Sequence, residues 1–122
     1  MDELTCNEVT LVGRVSAPPQ ERTLPSGDVL LIWRLVVDRP PGRRPVPEGV
    51  RVVSTDTFDC VAWTGGVRRS ARAFAPGDVV RVEGALRRRF WRAGSSAASK
   101  CEVEVAAARR LAKAAQPAQA SR

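Results

Sequence analysis

The sequence predicts an all-β fold, five strands closed into a small Greek-key barrel with one short helix between the third and fourth strands. Three features predict it. Apolar residues recur with the two-residue period of a strand, in segments cut by Gly and Pro. A single stretch carries helical spacing instead. The 122 residues leave room for one core and a tail, and not for two ordinary domains.

The first strand is expected from Asn7 to Val15, where Val9, Leu11 and Val15 alternate with Thr10 and Arg14. A short extension, Gln20 to Leu24, follows Pro18-Pro19, and Pro25-Ser26-Gly27-Asp28 signals a turn. The second strand, Val29 to Asp38, is almost continuously apolar, as is the third, Thr57 to Trp63; such runs suit strands buried on much of both faces. Between them, Arg39 to Asp56 holds Pro40, Pro41, Pro45 and Pro47 and reads as a long mobile loop.

After Gly65-Gly66, Val67, Ala71 and Phe74 fall at helical spacing, and Pro76-Gly77-Asp78 stops that helix. A fourth strand begins at Val79, a Gly/Ser/Ala turn is expected over Ala93 to Ser99, and a fifth strand alternates Cys101, Val103 and Val105 with Glu102 and Glu104. Residues 1–111 form the expected domain, and the Ala/Gln/Pro-rich residues 112–122 an expected short disordered tail. Five strands with one helix between the third and fourth is the order of an OB-fold, a partly open barrel that often binds oligonucleotides.

The formal charge is +7, and it is localised. Residues 65–92 carry eight Arg against Asp78 and Glu83 alone, whereas residues 1–64 carry seven Arg against nine Asp and Glu. Such an imbalance fits a polyphosphate partner. Arginine outnumbers lysine 18 to 2, which suits stacking and bidentate phosphate recognition and equally suits a biased codon usage.

Enzymatic chemistry has little to stand on. There is no histidine, which removes Ser-His-Asp triads, imidazole acid–base catalysis and most zinc sites. The three cysteines, Cys6, Cys60 and Cys101, are too far apart in sequence for a zinc ribbon and odd in number for a disulfide framework. No cofactor and no metal are expected. With no apolar run of about 20 residues and an acidic start, a soluble, cytoplasmic protein with no membrane contact is expected.

An unpaired polynucleotide presents bare base faces and one phosphate per nucleotide, so binding it without reading sequence calls for flat rings and cations together. In the fourth strand Arg81, Arg87, Arg89 and Trp91 share one parity, opposite the apolar Val80, Val82 and Leu86. Trp91 is therefore read as a stacking ring, the alternative being a rim hydrophobe. Trp63 shares parity with Thr57 and Asp59, on a face more suited to ligand than to core, although Val61 lies there too. Trp33 and Phe74 are assigned to the core. Phe58 and Phe90, on the other parity from Trp63 and Trp91, default to the core as well, with Phe58 kept as a weak contact candidate.

Arg87, Arg89, Arg14 and Arg34 are candidate phosphate contacts. Arg43 and Arg44 in the long loop are either a clamp over the strand or plain solvation of a Pro-rich segment. Arg68, Arg69 and Arg72 form a solvated helix face.

The run Asn7-Glu8-Val9-Thr10-Leu11-Val12-Gly13-Arg14-Val15, then Pro19-Gln20-Glu21-Arg22-Thr23-Leu24-Pro25-Ser26-Gly27, resembles the opening of bacterial single-stranded DNA-binding proteins. Asp59-Cys60-Val61-Ala62-Trp63 and Phe74 to Arg89 with Trp91 are similar to that family's third and fourth strands. The resemblance runs from about Asn7 to Ala108 and is most specific over Gly84 to Trp91. It implies base stacking by Trp63 and Trp91 and a hairpin arginine at Arg22. It also implies a homotetramer, a dimer of dimers, in which paired first strands would bring Cys6 near its copy and an intersubunit disulfide would show on a non-reducing gel.

Two departures stand out. The family aromatic at the start of the third strand meets Thr57, with Phe58 one residue off, and the aromatic after the second strand meets Pro40-Pro41. The family's acidic tail tip, which recruits replication proteins, has no counterpart in residues 114–122. The expected function is sequence-independent binding of single-stranded DNA in replication, repair or recombination. A primosome-like protein-interaction module and an RNA binder stay open as alternatives.

Overall fold

The structure, a computed structural model, describes residues 4–40 and 45–114. Six strands and one helix follow in the order β1 (Val9–Val15), β2 (Gln20–Thr23), β3 (Val29–Asp38), β4 (Thr55–Ala62), α1 (Gly65–Arg72), β5 (Val79–Ala93) and β6 (Ser96–Ala112). The strands join as β1-β5-β6-β4-β3-β2, and β1 also pairs with β3, so five of them form a ring with β2 on its flank. This is the expected OB-type arrangement; β2 is the short extension foreseen after Pro18-Pro19.

The ring closes because β1 changes partner along its length. Val9 to Arg14 run antiparallel to β5, and the last two residues, Arg14 and Val15, pair with Val36 and Leu35 of β3. Gly13 sits at that crossover. A Cβ there would overlap the Val36 carbonyl, so only glycine lets the two backbones approach. The seam between β4 and β6 is a short parallel pairing, Cys60 with Val103 and Val61 with Glu104.

Inside the ring lie Val15, Leu31, Trp33, Leu35, Cys60, Val80, Val82, Val103 and Val105, all buried. α1 covers the core with Val67 and Ala71, and Phe74 follows, its ring edge-on to Trp33 at 6.0 Å. The helix begins on two glycines and its Thr64 N-cap makes no side-chain bond; packing of those apolar residues therefore holds it, helped by Arg69 and Arg72 at its negative end. As the continuous apolar run of β3 implied, Leu30 and Leu31 are buried on opposite faces.

Two sequence expectations change here. The turn foreseen over Ala93–Ser99 shrinks to Gly94-Ser95, and β6 extends over 96–112 instead of beginning near Cys101. Small Ser and Ala residues read as loop by composition, yet backbone pairing to β5 holds them extended. Phe90, assigned to the core, is 73% exposed. Its parity is as expected, on the core side of β5. The strand has left the barrel by then, so no core remains to receive the ring, and Leu86 on the same side is half-open for the same reason. Within the expected tail, 112–122, the structure describes Ala112 as the end of β6, then Lys113 and Ala114; residues 115–122 lie outside it.

Asp78 is a buried anchor that its reading as a helix stop missed. Its carboxylate accepts hydrogen bonds from the backbone N–H of Ala75 and of Ala114, both at 2.8 Å, and from Arg110 at 3.3 Å. The end of β6 is thus tied to the turn before β5. Those two backbone donors first, and the Arg110 charge after them, hold the Asp78 carboxyl below the ordinary carboxylate range.

Two tests follow from this packing. Gly84 stands at a register shift in β5 where a Cβ would overlap the Glu104 carbonyl, while the space around Gly66 in α1 is empty. Gly84→Ala should lower the unfolding free energy by about 1–3 kcal/mol, and Gly66→Ala should raise it by roughly 0.4–1 kcal/mol, both read from urea midpoints. Because Asp78 is more acidic folded than unfolded, its contribution is full above the unfolded pKa, about 3.9, and is lost as pH falls through the folded value. Asp78→Asn should therefore be less stable at pH 7 and show a shallower loss as pH falls below about 4; a parallel acid limb in both proteins would contradict the assignment.

Candidate nucleic-acid interface

Beyond the barrel, β5 and β6 continue together as a two-stranded ribbon. From Gly84 opposite Val105 to Ala93 opposite Ser96 the antiparallel register is unbroken. Alternation is therefore strict, and Arg87, Arg89 and Trp91 share one surface with Lys100, Glu102 and Glu104. That surface continues the barrel exterior. Through the β6–β4 and β4–β3 pairings it runs on to Asp59 and Arg34, and through β3–β2 to Gln20 and Arg22.

Rings and cations meet along it. Trp63, just past the end of β4, is 38% exposed and borders a groove with Glu83, Gly84, Ala85, Arg87 and Glu104. Trp91, 42% exposed, lies farther out on the ribbon, and the Arg89 guanidinium carbon stands 5.9 Å from its ring centre, within cation–π range. Arg22, Arg34, Arg89 and Lys100 border a second hollow, edged by Ser16, Pro18 and Gln20. Five of the expected contacts thus fall on the borders of two neighbouring hollows, and Trp91 stands beside one of them.

The others divide. Arg14 lies on the barrel exterior outside both hollows, bonded to Asp38 at 3.0 Å. Phe58 sits opposite Leu35 and packs half-buried against the core, so it turns away from the exterior strip. Arg43 and Arg44 lie outside the described residues. Among the helix arginines, Arg72 bonds Glu21 at 2.8 Å, and Arg68 donates to the Trp63 carbonyl at 3.2 Å, which makes it part of the tryptophan's support.

The sequence reading named these arginines as phosphate contacts; the structure gives most of them carboxylates. Arg87 bonds Glu104 at 3.0 Å, Arg34 bonds Asp59 at 3.1 Å, and Arg89 stands 3.9 Å from Glu102. Lys100, which was missed, bonds Asp59 at 3.2 Å; its alternation with Glu102 and Glu104 was the available signal. Burial, the largest single influence, pulls the Asp59 carboxyl up, but Arg34 and Lys100 together outweigh it and keep the group below the usual range. Arg87–Glu104 and Arg34–Asp59 are open to solvent, and exposed pairs contribute about 0–1 kcal/mol each, so a phosphate can displace those two carboxylates at little cost; Glu102 is buried.

Cys60 is buried inside the ring, and burial first, then the Asp59 charge, pushes its thiol up to about 12. It stays a protonated core residue. Cys6 and Cys101 are exposed. Among the described residues no group of acidic, Cys or His side chains is arranged to hold a metal, and no helix is long and apolar enough to cross a membrane.

Comparison with known proteins agrees with this geometry. Residues 6–111 match the model of the single-strand binding protein family. A single-stranded DNA-binding protein of Thermotoga maritima is 35% identical over 86 residues, which cover 70% of this chain and 58% of that protein's length. Among solved structures, an SSB of Plasmodium falciparum in complex with single-stranded DNA superposes with a TM-score of 0.73 at 22% identity, covering 91% of this chain and 99% of that one.

Proposed function

The chain belongs to the single-strand binding protein family, and from that premise we propose that it binds single-stranded DNA without reading sequence, as a non-enzymatic coat in replication, repair or recombination. One observation carries the reading. The half-open indoles Trp63 and Trp91 and the guanidiniums of Arg87 and Arg89 lie along one exterior strip, with Arg34, Arg22 and Lys100 beside it. Bases stack on the rings while phosphates exchange with Glu104 and Asp59 for the cations. The carboxylates have a use in this scheme: they keep the guanidiniums oriented when no DNA is bound.

Arg14 and Phe58 are secondary contacts at most on this reading, since neither belongs to the strip that the rings mark; Arg43 and Arg44 lie outside the described residues. An RNA strand offers the same charges and ring faces, so oligo-dT against an RNA of equal length is the discriminating competition.

The protein acts as a homo-oligomer. The edge of β1 away from β5 is unpaired over Val9 to Gly13 among the described residues, and such an edge is a template for a second copy about a two-fold axis. A tetramer built as a dimer of dimers is the assembly that fits this edge and the family. A nucleoid location follows from the ligand.

Titrating intrinsic tryptophan fluorescence with oligo-dT tests the proposal. Quenching is expected, with affinity falling as salt rises by a logarithmic slope of about 0.7 per phosphate neutralised. Trp91→Ala and Trp63→Ala should each weaken binding by about 1–3 kcal/mol, against little change for Arg69→Ala on the solvated helix face. No quenching, or equal small losses in all three variants, would contradict stacking. Light scattering of the same samples should report several chains per particle, and a single-chain mass would remove the assembly.

A further inference from the structure

We infer that the reverse face of the β5–β6 ribbon is a second contact surface for single-stranded DNA, with Phe90 as its stacking ring and Arg88 and Arg92 as its phosphate cations. The inference rests on the function proposed above and deepens it. The geometry is fixed by the same unbroken register. With Arg87, Arg89 and Trp91 on one face, Leu86, Arg88, Phe90 and Arg92 take the other.

That second face repeats the chemistry of the first in the order cation, ring, cation. Phe90 is the most open aromatic among the described residues, 73% exposed, and it is flanked along the strand by Arg88 and Arg92, two residues away on either side. The residues opposite on β6 are Cys101, Ser99 and Ala97. Neither strand of the ribbon thus contributes a carboxylate to this face, in contrast to the front, where Glu102 and Glu104 answer Arg89 and Arg87. A core-facing ring would be buried, and a ring placed for a protein partner would usually sit in an apolar patch. Phe90 sits instead between two cations with no facing acid, a setting complementary to a polyanion with exposed bases. A strand that leaves Trp91 at the tip can fold over Gly94-Ser95 and continue along the back, so one ribbon holds two stretches of a single bound strand.

The test uses the full chain, oligo-dT of a short and a long length, and the variants Phe90→Ala and Trp91→Ala; Phe90 is exposed, so its removal leaves the core untouched. Cys101, directly across from Arg88, reports on the same face through its rate of alkylation by iodoacetamide, mapped by mass spectrometry apart from Cys6. Two results are expected together. Phe90→Ala weakens long oligo-dT at least about fivefold, the low end for loss of one stacked base, and long oligo-dT slows alkylation of Cys101 in the unmodified protein. If Trp91→Ala weakens binding while Phe90→Ala matches the parent at both lengths, or Cys101 reacts at the same rate with DNA bound, the second surface is overturned and the front one stands. If the parent protein binds neither oligonucleotide, both fall. A Phe90→Ala variant that changes only the oligomeric mass assigns the face to protein contact and also overturns the inference.

Discussion

The antiparallel pairing of β5 with β6 is the constraint on which the rest of the molecule depends. Inside the barrel it supplies Val80, Val82, Val103 and Val105 to the core. From Gly84 it continues without a register break for ten residue pairs, and beyond the β4 seam at Val103 the two strands leave the core. A side chain on β5 from Arg87 to Ala93 has only two directions available, and both meet solvent. The fold's need for alternation thereby sets rings and guanidiniums on the two faces of an exposed ribbon.

Electrostatics sets how that arm is used. Most cations of the front face rest against carboxylates, so the protein's positive charge is held partly in reserve. Single exposed pairs are weak, and a polyphosphate that exchanges several at once also releases condensed counterions. On the proposed reading, rings would decide how much affinity survives at high salt, because stacking does not depend on counterions. The same pairs explain why the +7 formal charge does not force the strands apart: the repulsive neighbours are interleaved with Asp59, Glu102 and Glu104.

What was legible in the sequence follows from how local each signal is. Strand β3 is found at its exact expected residues, Val29 to Asp38, because a continuous apolar run needs only burial on both faces. Trp33 and Phe74 enter the core as expected, and Trp63 and Trp91 stay open as expected. Parity placed Phe90 on the correct side of its strand but could not tell that the strand outruns the core. The length of β6 was hidden by Ser and Ala, whose extended state comes from a partner strand. Asp78 read as turn punctuation because its donors, Ala114 and Arg110, are more than thirty residues away. The acidic partners of the arginines were likewise invisible until β4, β5 and β6 were side by side.

The most direct measurement is ultraviolet cross-linking of the protein to oligo-dT, with the attached residues identified by mass spectrometry. Contact through the exterior strip predicts adducts at or beside Trp63 and Trp91. Adducts confined to α1 or to the outward face of β1, with both tryptophan peptides unmodified, would show that the polynucleotide lies elsewhere.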